Sequence, residues 1–341
     1  MKAVSLKSPG NVEVEDYLRP NLNSGDILVE MKVCGLCGTD LEKLRGGYVA
    51  SMPRLGHEPV GIISKIGHNV KGLDVGDRVF VHHHVPCYDC YYCNRGSETM
   101  CAKYRSTNID PCGFAEYFRV PAWNVERGGV QKLSDTISWE EGSFIEPTAC
   151  CIRGLNRLGN SKIDSALIVG AGPMGLTFLQ LLQLHGTANL FISEFNKIRR
   201  NLTQTQYKCT SLDPLNDDIS LKIKSQTDQR GVDLAVIASG NSSAIIQGLN
   251  SVRRGGNVLL FGLPSVGTLL NYDASILLNR EINLIASNAA TEDDVNKAMS
   301  YISEHRINVS SMITHRFKIE DFNKAIEITE NSECIKVIIT P

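Results

Sequence analysis

The apolar run Ala166-Leu167-Ile168-Val169 passes without a break into Gly170-Ala171-Gly172-Pro173-Met174-Gly175, and then into Leu176, Leu179 and Leu182 at helical spacing as far as Gly186. A short run with no polar face suits a parallel strand covered on both sides. Parallel strands need crossover connections, so this junction commits its part of the chain to strand–helix alternation. The alternation continues through Leu190-Phe191-Ile192, Leu234-Ala235-Val236-Ile237 and Val258-Leu259-Leu260-Phe261, with helical stretches between. Right-handed crossovers then predict an open, doubly wound parallel sheet. Gly170 permits the tight turn, Gly172 lets backbone approach a pyrophosphate, and Gly175 lets helix and strand pack closely. Pro173 and Met174 open the helix, whose N-terminus faces the anion. Taken alone this spacing serves packing as readily as binding. Glu194, 19 residues after Gly175 at the end of the next strand, adds the context of a dinucleotide site.

The flanking segments read differently. Ile27, Val29, Met31 and Val33 alternate with Leu28, Glu30 and Lys32, and Val60 to Ile66 and Arg78 to Val81 are further β-rich runs between glycines. Asp293 to His305 and Asp321 to Thr329 predict helices, and the chain ends in the β-rich Ile335-Lys336-Val337-Ile338-Ile339. A length of 341 residues suits two domains. The expected plan is a β-rich domain over residues 1–150, an α/β domain over 151–286, and a segment over 287–341 that rejoins the first. A net charge of −2 gives no broad attraction to nucleic acid or an anionic membrane. No apolar run is long enough to span a bilayer, and Met1-Lys2-Ala3-Val4-Ser5-Leu6-Lys7 lacks a signal-peptide core. The expectation is a cytoplasmic protein.

Eleven cysteines, an odd number in a long chain, favour metal ligation or free thiols over disulfides. Four stand as Cys87-x2-Cys90-x2-Cys93-x7-Cys101, a lobe (87–101) able to wrap one zinc in a closed sulfur shell. Tyr88, Asp89, Tyr91 and Tyr92 lie among these ligands, where a nucleic-acid ribbon would place lysines. A second, dispersed set comprises Cys37-Gly38-Thr39-Asp40, Gly56-His57-Glu58 and Glu146-Pro147. One thiolate, one imidazole and one or two carboxylates can hold zinc with a position open to substrate. By spacing alone that set is unspecific, because a lone histidine is commonly a satisfied core or surface residue.

In combination the motifs are specific. The chain resembles the zinc-containing medium-chain alcohol dehydrogenase family over essentially its whole length. The resemblance is carried by Cys37-Gly38-Thr39-Asp40, Gly56-His57-Glu58, Gly76-Asp77-Arg78-Val79, the four-cysteine lobe, Gly113-Phe114-Ala115-Glu116-Tyr117, Glu146-Pro147 and the turn from Gly170 to Gly175. It implies a GroES-like catalytic domain, a Rossmann domain, two zincs per chain, and an active site between the domains. Cys37, His57 and a carboxylate would hold the catalytic zinc, with Glu58 the third or exchange ligand. Glu146 matches a position that is Glu in polyol, glucose and threonine dehydrogenases, which points to the sorbitol, threonine and sugar dehydrogenase-like branch. Thr39 matches the hydroxyl residue that carries the substrate proton away. Glu42 stands where many relatives have the outer histidine of the relay.

The resemblance therefore implies a small polar alcohol as substrate, a nicotinamide cofactor as hydride acceptor, and a homodimer or homotetramer. His84 resembles the substrate-tuning histidine of threonine dehydrogenases, whereas His82 and His83 read as a solvated strand end. Arg45-Gly46-Gly47-Tyr48 is a candidate pocket loop, and Cys34 a small buried residue. Cys112, Cys150, Cys151, Cys209 and Cys334 belong to no motif and read as free thiols. Gly262 is expected near the nicotinamide. Glu194 favours NAD by accepting from the ribose hydroxyls and repelling a 2′-phosphate, while Lys197, Arg199 and Arg200 leave use of NADP open. The competing readings are a zinc-free reductase of the same superfamily and a non-catalytic redox sensor that binds a dinucleotide.

Overall fold

The structure, a computed structural model, describes residues 1–46 and 54–341. Gly47 and Tyr48 of the candidate pocket loop lie outside the described residues. The chain divides into two compact units, Met1–Ala149 with Ala289–Pro341, and Cys150–Asn288.

In the second unit the apolar runs form the strands Ser165–Val169, Asn189–Ser193, Thr210–Leu212, Val232–Ile237, Val252–Leu260 and Asn283–Ala286. All five pairings are parallel. Taken in chain order within the unit, the spatial order is third, second, first, fourth, fifth, sixth, the Rossmann arrangement. Ser165–Val169 is buried throughout, as a strand covered on both faces must be. The order reverses between Ser165–Val169 and Val232–Ile237, so the crevice past their carboxyl ends opens where Gly170 begins the turn.

In the first unit Ile27–Leu36 is the central strand. It pairs antiparallel with Glu58–Ile66, Tyr117–Val120 and the C-terminal strand Lys336–Thr340. The last of these pairs parallel with Ile313–Lys318, so the C-terminal segment supplies two strands of this sheet. Ile27, Val29, Met31, Phe114, Phe118, Phe322 and Ile339 meet in one core. Leu28 is buried as well, because the central strand is covered on both faces where the sequence alternation predicts one.

The register places three motifs at one sheet end. Gly35 pairs with Glu58, and Leu36 pairs with Val337. The residue leaving the central strand is Cys37, which N-caps the helix Gly38–Leu44. Cys37, Glu58 and Lys336 are thus brought together by strands distant in sequence. Among the described residues no helix is long and apolar enough to cross a membrane.

Candidate active site and metal centres

Ligand atoms of Cys37, His57 and Glu58 all lie within 4.8 Å of one another. Cys37 is half-buried, while His57 and Glu58 are buried. Asp40 organises the set. Its fully buried carboxylate accepts from the amides of Gly56 (3.0 Å) and Cys37 (3.2 Å). His57 Nδ1 faces Asp40 Oδ1 at 3.3 Å, as an ion-pair contact without good hydrogen-bond alignment. Burial alone would lower the His57 pKa, but Asp40 and Cys37 outweigh it and hold His57 well above its ordinary value. Burial likewise opposes ionisation of Asp40, yet His57, Lys43 and the Gly56 amide bring it down to about 2. Asp40 therefore remains an anion beside the imidazole, the arrangement that orients a histidine ligand and raises its basicity.

Glu58 is fully buried. One carboxylate oxygen pairs with Lys336 Nζ, and Oε1 is buried without a partner. Burial penalises the Lys336 charge, yet Glu58, Cys37 and Asp40 keep its pKa raised, while burial also raises the Glu58 carboxyl against the pull of Lys336 and His57. Gly35 is required here, because a Cβ on it would collide with the Glu58 carboxylate and crowd Lys336. A buried carboxylate oxygen with no partner, beside a thiol and an imidazole, suits a divalent cation. Glu146 is buried in the first turn of the helix Ile145–Asn156 but lies outside the mutually close trio.

Thr39 is half-buried in the first turn of Gly38–Leu44. Glu42 pairs with Arg45 at 3.2 Å, and Arg45 also reaches Glu330 at 3.1 Å. His84 is half-buried, and its Nδ1 meets the Thr107 carbonyl oxygen at 2.7 Å. Burial lowers its pKa to about 3, so its ring is neutral near pH 7.

His82 and His83 do not form a solvated strand end. They are only 1 % and 8 % exposed. His82 Nδ1 contacts Glu292 at 2.9 Å, His82 Nε2 lies 3.4 Å from Tyr104 Oη, and Asn124 Nδ2 donates to both backbone carbonyls. Glu292 arrives from a helix 210 residues along the chain, which is why the local pattern concealed the burial.

Sequence reasoning also gave no role to Asp40 or Lys336. Lys336 had a signal, a single charge inside the apolar run Ile335–Ile339. Asp40 had a weaker one, three residues after Cys37, where it completes a capping box. Asp40→Asn should weaken zinc retention at this trio about 10–100-fold, measured by competition with a chelator.

The four lobe cysteines also lie within 4.8 Å of one another. Three of their Sγ–Sγ separations are 3.5, 3.6 and 3.9 Å. A tetrahedral site with Zn–S of about 2.3 Å has S–S edges of about 3.8 Å, whereas a disulfide would need about 2.05 Å. None of the eleven cysteines is disulfide-bonded, and Cys34 is fully buried with its thiol pushed well up by burial. Metal-replete protein should carry two zincs per chain, a count that elemental analysis checks. Cys93→Ala should lose one zinc and lower the thermal midpoint, because a structural zinc contributes directly to folding.

In the second unit Gly172 N-caps the helix Pro173–Leu184, with Pro173 at its first position. A Cβ at Gly175 would strike the Gly170 carbonyl oxygen, so packing demands that glycine. At Gly172 the nearest atom to such a Cβ is Arg199 Nη1 at 3.9 Å, so packing leaves room where a pyrophosphate would approach. The buried Glu194 carboxylate accepts from the amides of Ala171 and Asn196, each at 2.7 Å. Arg200 is committed elsewhere, to Asp213 at 2.7 Å and to the Glu194 and Phe195 carbonyls. Gly262 packs against the Ser239 backbone with no room for a side chain.

Two family profiles match the chain, "Alcohol dehydrogenase GroES-like domain" over residues 23–128 and "Zinc-binding dehydrogenase" over 173–304. D-arabinitol dehydrogenase 1 of Uromyces fabae is 27% identical, with 100% of this chain and 97% of that protein covered. L-galactonate-5-dehydrogenase of Escherichia coli is 29% identical over 94% of this chain and 93% of its own. A protein of Sinorhizobium meliloti described as a zinc-binding dehydrogenase, solved bound to NADP, superposes with a TM-score of 0.90 at 27% identity, covering 100% of this chain and 99% of that one. With matching profiles in both units and relatives aligned along essentially its full length, the chain belongs to the zinc-containing medium-chain alcohol dehydrogenase family.

Proposed function

We propose that the chain is a zinc-dependent dehydrogenase that oxidises a secondary hydroxyl of a polyol, sugar or amino alcohol, with NAD as hydride acceptor. The observation that carries this reading is the trio Cys37, His57 and Glu58, backed by Asp40 and Lys336, with the Glu58 Oε1 left unpartnered. Cys37, His57 and a carboxylate, Glu58 or Glu146, would hold the metal. Zinc held there would supply Lewis acidity towards the substrate hydroxyl, and a bound nicotinamide would supply the hydride acceptor.

The remaining steps belong to the chain's own residues. Thr39 Oγ1 accepts the hydroxyl proton as its own proton moves outward, towards Glu42 or solvent. His84 is anchored through Nδ1, which donates to the Thr107 carbonyl, so its Nε2 is left to accept a hydrogen bond from substrate. Gly170, Gly172, Pro173, Met174 and Gly175 would cradle the pyrophosphate at the helix N-terminus, Glu194 would hold the adenosine ribose, and Arg199 stands beside Gly172. Gly262 keeps the backbone clear near the nicotinamide. Eleven cysteines without a disulfide among them suit a reducing compartment, the cytoplasm. Assembly as a dimer or tetramer belongs to the same proposal. It is supported by the edge strand Asn283–Ala286, whose Leu284 is exposed, and by exposed Leu278 nearby in sequence.

Turnover with sorbitol, glucose, threonine, butane-2,3-diol and simple alcohols, with each cofactor, tests the reading. Oxidation of at least one polyol or amino alcohol that stops on chelation is the expected result. Turnover that survives complete zinc removal would favour a zinc-free reductase. Tight dinucleotide binding with no turnover across the panel would favour a redox sensor.

A further inference from the structure

Around the histidine run several polar groups are committed to protein partners. His82 uses both ring nitrogens, on Glu292 and Tyr104. His84 spends Nδ1 on Thr107. Asn124 takes the carbonyls of His82 and His83. The His83 ring is not so satisfied, and Thr107 Oγ1 and Asn124 Oδ1 nearby also lack a partner. The ring is more than nine-tenths buried, and its Nδ1 has no hydrogen-bond partner. Its centroid lies 5.4 Å from the His57 ring and 4.0 Å from the His84 ring. His83 is also outside the trio whose ligand atoms converge within 4.8 Å. It borders the metal-ligand set without joining it. Leaving a buried ring nitrogen unpaired is unfavourable, and at a functional site the missing partner is commonly a ligand group.

We propose that His83 is a specificity-determining residue that hydrogen-bonds a second substrate hydroxyl, on the carbon next to the reacting carbinol. This deepens the function proposed above and rests on it. A hydroxyl both donates and accepts, so it satisfies an imidazole nitrogen in either tautomer, whereas a carboxylate can only accept. The neighbourhood already holds three buried carboxylates, Asp40, Glu58 and Glu146, of which Asp40 faces Lys43 and Glu58 faces Lys336. A further anion would add to this negative charge. The favoured substrate class is therefore a neutral vicinal diol, and a simple alcohol leaves His83 unpaired.

Butane-2,3-diol and butan-2-ol differ by the one hydroxyl at issue. The measurement is the ratio of their kcat/KM values in wild type, His83→Phe and His83→Asn, with zinc content determined for each. His83→Phe keeps bulk and removes the hydrogen bond, and should lower the diol preference about 10–100-fold with two zincs retained. His83→Asn keeps a polar atom near the Nδ1 position and should stay within about threefold of wild type. A His83→Phe ratio within twofold of wild type, or an equal fall for both alcohols with loss of zinc, would overturn the assignment. A second readout separates this proposal from the functional reading beneath it. If wild type oxidises no polyol or amino alcohol of the wider panel, the dehydrogenase reading fails. Titration of cobalt-substituted protein with butane-2,3-diol still tests His83 through the visible spectrum. A Kd raised about tenfold in His83→Phe alone supports the contact, and an unchanged Kd removes it.

Discussion

His57→Ala is expected to lower kcat/KM for the best alcohol by at least about 10⁴-fold, because it removes a ligand from the group that would polarise the hydroxyl. Cys37→Ala should do the same, since the thiolate is the one soft donor of the trio. Each variant should retain one zinc per chain, that of the four-cysteine lobe. Neither should collapse the fold. With His57 shortened, Asp40 keeps the Gly56 and Cys37 amides and the contact with Lys43, so no buried anion is stranded. Dinucleotide affinity should stay within about threefold of wild type, because Gly170, Gly175 and Glu194 lie in the other compact unit. A His57→Ala protein that keeps more than a few per cent of wild-type turnover would refute the catalytic-zinc assignment.

The parts of this molecule that could be read from sequence are those whose pattern is local. Ala166 to Val169 could be read as a doubly covered strand because burial on both faces removes every polar residue from it. The four-cysteine lobe could be read because its ligands span fifteen residues, so ligand spacing and ligand geometry are nearly the same information. The turn at Gly170 was legible for a similar reason. Strand, turn and helix follow one another, and the Gly175 contact with the Gly170 carbonyl stays within six residues. What escaped lies across the sheet. Lys336 meets Glu58 over 278 positions, through register that no local period encodes. His82 and His83 look like a polar strand end until Asn124, Glu292 and Tyr104 cover them.

Asp40 is an intermediate case. Its link to Cys37 is local and appears as a capping box, but its value to His57 depends on Gly56 returning to the same place. The candidate metal ligands were reachable through resemblance, and the residues packed around them were not. Orientation of a ligand is a tertiary property, and the sequence marks it only as an unexplained charge in an apolar setting, as at Lys336.

Cofactor choice gives the second large expected effect, and Glu194 is where it is decided. Wild type should prefer NAD, with residual use of NADP. The Glu194 carboxylate closes the second strand of the Rossmann sheet and is anchored at both oxygens by backbone amides, Ala171 and Asn196. Two donors facing two oxygens suit a carboxylate and exclude an amide, so the charge is built into the turn. Each oxygen retains acceptor capacity for a ribose hydroxyl, and a 2′-phosphate would meet fixed negative charge at close range. Of the cations that could oppose this, Arg200 is tied to Asp213 and to two carbonyls. Arg199, beside Gly172, is the one positioned to favour phosphate. Glu194→Ala should reduce kcat/KM with NAD about 10–100-fold, the loss expected for hydrogen bonds to a charged acceptor. With the repulsion gone and Arg199 in place, use of NADP should rise, and the ratio of the two cofactors should move by roughly 10³-fold. The ratio isolates the charge from the damage, because a turn merely loosened by loss of the Ala171 and Asn196 contacts would lower both cofactors together. Arg199→Ala in the Glu194→Ala background should then return NADP use towards its original level. A wild type that strongly prefers NADP would show that Arg199 outweighs Glu194, and would reverse the assignment.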